Sequence, residues 1–65
     1  MNALLLSAAE VRAAEVLSAE VRADVLLEGA VFRARQNIRL GLHHQARVEL
    51  LIGGRAAERI LDGAA

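Results

Sequence analysis

The side chains that could take part in chemistry are few. Two histidines are adjacent, His43-His44, two hydroxyls are present, Ser7 and Ser18, and an acidic row, Glu20-Asp24-Glu28, recurs every fourth residue. The chain has no Cys, Lys, Tyr or Thr. Adjacent histidines on a helix point about 100° apart and are poorly placed to share an ion, and the i,i+4 spacing of helical metal sites is missing. Without cysteine there is neither a disulfide nor a thiolate metal site. Ser7 is accounted for as a helix cap, and Ser18 sits among small residues. No Gly-x-Ser-x-Gly elbow and no Gly-Lys-Ser/Thr phosphate loop occurs. The residue types therefore predict a protein that is not an enzyme, with no catalytic residue, metal or cofactor.

Arginine is the remaining chemical resource, since all 8 basic residues other than histidine are Arg. Residues 1–29 hold five acids and two arginines, giving −3, and residues 30–65 hold six arginines and three acids, giving +3. Such a split implies that the halves attract each other or that the basic half meets an acidic partner. Guanidinium groups contact phosphates well, so Arg33, Arg35, Arg39, Arg55 and Arg59 form a candidate nucleic-acid surface. Zero net charge and a single aromatic, Phe32, weigh against that reading.

The elements that would carry these residues are helical. Ala, Leu, Glu and Arg dominate and Pro is absent. Ser7-Ala8-Ala9-Glu10 reads as a capping box, with Leu6 and Val11 at the hydrophobic-staple positions. A helix is expected from Ser7 to Glu28, with Gly29 as its C-cap. Its main stripe is Val11, Ala14, Leu17, Val21 and Val25. Its far side is smooth and weakly apolar, with Val16 and Leu27 among Ala9, Ala13 and Ala23. A second helix is expected over 30–52, with Val31, Ala34, Ile38, Leu42, Gln45, Val48 and Ile52 as its stripe. Gly41 is the weak point of that helix. Alternation of apolar and basic residues over 32–40 leaves a strand open as a rival. A hairpin turning at Gly29 would set Val25 against Ala34, Val21 against Ile38, Leu17 against Leu42 and Val11 against Val48. Gly53-Gly54 would then end the second helix and open a short third one over 55–61.

That last segment, Leu50-Leu51-Ile52-Gly53-Gly54-Arg55-Ala56-Ala57-Glu58, resembles a stretch in the protease domain of the FtsH family of AAA+ zinc metalloproteases, where it follows the zinc-binding helix. No His-Glu-x-x-His occurs in the chain. The resemblance therefore implies a helix-packing arrangement, as in an inactive, fragment-like relative, without the zinc chemistry. Residues 51–61 also resemble the second part of a helix–hairpin–helix DNA-binding motif at Gly53, Ala57 and Ile60, with Leu51 in place of the first hairpin glycine.

Sixty-five residues allow one domain, 1–65, with a thin core that would ordinarily need a staple. With no disulfide possible and 55% apolar residues, self-association is the staple that remains. Spare apolar side chains, Leu4, Leu5, Leu6, Val16, Leu27, Phe32, Leu40, Leu50 and Leu51, form the expected interaction surface. No apolar run spans a bilayer and the first residues lack a signal peptide's positive start, so a cytoplasmic location away from membranes is expected. The sequence thus predicts an all-α protein: an antiparallel hairpin of 7–28 and 30–52 plus a short helix 55–61, completed by oligomerisation. Its expected role is a non-catalytic protein–protein interaction or self-assembling structural module, with a homo-oligomer or a larger protein as partner. A small nucleic-acid-binding or regulatory protein is the alternative.

Overall fold

The first helix begins where its cap places it. The Ser7 hydroxyl accepts a hydrogen bond from the Glu10 backbone N–H at 3.1 Å, and the Glu10 carboxylate accepts one from the Ser7 N–H at 3.2 Å. This reciprocal pair satisfies two of the helix's orphan donors. The computed structural model describes residues 7–64, so Leu4, Leu5 and the staple residue Leu6 lie outside the described residues. Helix α1 spans Ala8–Arg39 and helix α2 spans His43–Ala64, and they pack against each other as an antiparallel pair.

The turn is not at Gly29. Helix α1 runs through that glycine for 32 residues, and the chain reverses at Leu40-Gly41-Leu42. Gly41 has φ 77°, the left-handed region in which a side chain is disfavoured. Its N–H donates to Ile38 O at 3.0 Å, and the Leu42 N–H donates to Asn37 O at 2.7 Å. These two bonds make a Schellman turn that satisfies the last carbonyls of α1. Gly29 costs the helix about 1 kcal/mol relative to Ala, and the turn at Gly41 recovers a longer packed interface. The strand reading of 32–40 is also overturned, since 32–39 is the last part of α1 and Leu40 is its C-cap.

Nor does the chain break at Gly53-Gly54. Helix α2 is continuous over 22 residues, and no separate helix 55–61 exists. With the turn at Gly41, Gly53 comes opposite Ala30. A Cβ built on Gly53 would overlap the Ala30 Cβ and lie 3.7 Å from the Leu26 carbonyl oxygen. The glycine is therefore there for close approach of two backbones.

Around it runs a seam of small residues. Ala19, Ala23, Ala30 and Ala34 of α1 and Ala46, Gly53 and Ala57 of α2 are buried. Their spacings of four and seven keep them on one side of each helix. The facing pairs expected for a hairpin at Gly29 do not form. The buried side of α1 is the smooth alanine side, and the Val11, Leu17, Val21, Val25 stripe is exposed. Methyl-sized side chains let the helices approach closely, and the register fixed at Gly41 aligns them. The result is an elongated ribbon with principal extents of 57 × 21 × 9 Å. Because α1 is ten residues longer than α2, its first turns project about 15 Å past the end of the pair.

Candidate interaction surface

Among the described residues, every buried side chain is an alanine, and no Val, Leu, Ile or Phe is buried. Burying an alanine methyl returns about 0.8 kcal/mol, whereas a Val, Leu, Ile or Phe returns about 1.5–3 kcal/mol. The seam thus uses the weakest apolar groups of the chain and leaves the strongest in water. The residues expected to form the interaction surface follow this pattern. Val16 is half-buried, and Leu27, Phe32, Leu40, Leu50 and Leu51 are exposed, Phe32 at 62% and Leu40 at 72%.

These residues do not form one patch. Leu27 and Phe32 line a groove of about 430 Å³ on α1 together with Glu28, Val31 and Arg35. Leu40 lies at the turn, in a shallow groove with Gln36 and Arg39. Leu50 and Leu51 are on α2. A further apolar groove, about 350 Å³, is lined by Val21, Arg22, Val25, Leu26 and Ile60. Sequence reasoning missed it because Val21 and Val25 were assigned to the hairpin core. The signal that could have found it is the alanine heptad spacing on the other side of the same helix.

Two observations fix which flanks share a face. Ile60 shares the groove with Leu26, and Arg33 Nε donates to Glu49 Oε2 at 2.7 Å. The opposite flanks therefore share the other face of the ribbon, which carries Leu27, Val31 and Ile38 of α1 with Leu50 and Leu61 of α2, all exposed.

The candidate nucleic-acid arginines are not brought together. Arg33 is engaged with Glu49 on one face. Arg35 and Arg39 lie on the edge of α1 turned away from α2. Arg55 and Arg59 each follow a seam position of α2 by two residues, which turns them about 200° round that helix, to the opposite edge of the ribbon. The acidic row Glu20-Asp24-Glu28 forms no ion pair with the described residues. Among the described residues, the acidic row of the first half is thus not paired with the arginines of the second.

The chemical residues remain dispersed. Ser7 is spent on its cap. Ser18 lines a shallow groove with Val11, Ala14, Glu15 and Arg22. His43 and His44 are exposed in the first turn of α2. Among the described residues no three potential ligands cluster as a metal site would require, and no polar or charged side chain is buried. No helix among them is long and apolar enough to cross a membrane. Comparison of the chain with protein-family models, curated proteins and solved structures gave no match.

Proposed function

We propose that this protein is a non-catalytic, self-assembling helical module whose large apolar side chains are covered by further copies of the chain. The observation that carries the reading is the mismatch between an alanine-only seam and an exposed set of Val, Leu, Ile and Phe side chains on both faces of the ribbon. The chain exposes 5345 Å², whereas a globular protein of this mass exposes about 4,000 Å². An elongated two-helix ribbon thus leaves more of its surface in water than a compact chain of its size. Large apolar side chains exposed on both faces are surface that association would cover.

The test is the concentration dependence of folding. Association of folded chains raises the melting temperature with protein concentration. Circular dichroism melts over a hundredfold concentration range should show a rising midpoint. A midpoint independent of concentration, with a helix signal that survives dilution, contradicts the reading.

A further inference from the structure

The edge of α1 that faces away from α2 carries an ordered set of charges. Asp24, Glu28, Phe32, Arg35 and Arg39 follow one another at intervals of four, four, three and four. At about 100° per residue they stay within a sector of roughly 80°, on the side away from the buried alanines. Two acids precede Phe32 and two arginines follow it. None of the four charged residues is ion-paired with a described residue. At the centre lies the groove of about 430 Å³ lined by Leu27, Glu28, Val31, Phe32 and Arg35.

From this order we infer that a second copy of the chain docks on this edge, antiparallel, about a two-fold axis passing between Val31 and Phe32. In an antiparallel pair like flanks meet, so a helix edge that is acidic before its centre and basic after it complements itself. Glu28 then lies level with Arg35 of the second copy and Asp24 with its Arg39, and both pairings occur twice by symmetry. Phe32 and Val31 of the two copies fill the centre, where a groove already exists between an acid and a base. The charges lie beside this apolar centre, where complementary potentials set register and orientation. The inference rests on the self-association proposed above and names the surface that carries it.

The experiment uses three variants of the whole chain, compared with the wild type by sedimentation velocity. Asp24→Arg/Glu28→Arg makes the edge basic throughout, and Arg35→Glu/Arg39→Glu makes it acidic throughout. Each alone should lose self-association at this edge, with an apparent Kd raised at least about tenfold by like-charge repulsion. An equimolar mixture of the two should associate again, because every contact is then between opposite charges. The fourfold exchange Asp24→Arg/Glu28→Arg/Arg35→Glu/Arg39→Glu keeps the net charge and should self-associate like the wild type. It carries the test by itself if either charge-biased variant fails to fold alone. A mixture that stays as dissociated as its components, or a fourfold variant that does not associate, overturns this contact while leaving self-association standing. A wild type that does not associate at all overturns both.

Discussion

Two adjacent glycines in α2 provide a steric experiment on the helix seam. At Gly54 a new Cβ meets nothing within 4 Å, and at Gly53 it comes closer than 3.0 Å to the Ala30 Cβ. Replacing Gly by Ala inside a helix gains about 1 kcal/mol of intrinsic propensity at either position. Gly54→Ala should keep that gain. Gly53→Ala must also push the helices apart or bend α2, an overpacking cost of about 1–3 kcal/mol. The obstacle is a β-carbon on a helix backbone, with no flexible side-chain end to swing away. The adjacent substitutions should therefore differ by roughly 2 kcal/mol, with Gly54→Ala above the wild type and Gly53→Ala below it. For a chain this small, 1 kcal/mol moves a urea midpoint by about 1 M. Urea titrations followed by circular dichroism, at one fixed protein concentration, should then separate the two midpoints by about 2 M. Gly53→Ala combined with Ala30→Gly should recover about 1–2 kcal/mol of coupling, because the overlapping methyl is gone. If Gly53→Ala stabilises as much as Gly54→Ala, the register that opposes Gly53 to Ala30 is wrong.

Three other outcomes follow from the same geometry. Gly41→Ala forces a side chain into the left-handed region at the turn and should cost about 1–2 kcal/mol in urea titration, with Gly41→Asn milder. Gly29→Ala would set a Cβ 3.3 Å from Arg33 Nη1, on the guanidinium that also holds Glu49, so it should gain less than the full propensity difference of about 1 kcal/mol and less than Gly54→Ala, whereas a hairpin turning at Gly29 would make it destabilising. Glu49→Gln removes an ion pair whose side chains are 54% and 33% exposed, and should lose no more than about 1 kcal/mol, a loss that shrinks as salt rises during the same titration.

Local signals in the sequence were read well, and tertiary ones were not. The Ser7–Glu10 cap is a short-range device, and it stands as its residue types imply. The helical character of the chain follows from composition in the same way. The turn was misplaced because glycine has two opposite uses. It can take a left-handed φ, as at Gly41, or let another backbone come close, as at Gly53, and spacing along one chain does not distinguish them. The seam was missed because the larger apolar residues were assumed to be inside. Val11, Leu17, Val21 and Val25 make a regular helical stripe, and so do Ala19, Ala23, Ala30 and Ala34. Once the turn is at Gly41, the helices meet along the alanines. Of the candidate surface, Leu27, Phe32, Leu40, Leu50 and Leu51 are exposed and Val16 is half-buried. The groove at Val21, Val25, Leu26 and Ile60 is not legible in the sequence, because Val21 and Val25 read as core residues until the alanine seam takes the inside.

The central claim is that a ribbon held by alanines is an incomplete unit. Sedimentation equilibrium of the wild-type chain at micromolar concentration tests it most directly. The account predicts an associating species of at least twice the 6.9 kDa chain mass, with the helix signal lost as dilution dissociates it. A fully helical species of 6.9 kDa at every concentration, with its Val, Leu and Phe side chains left in water, would contradict it.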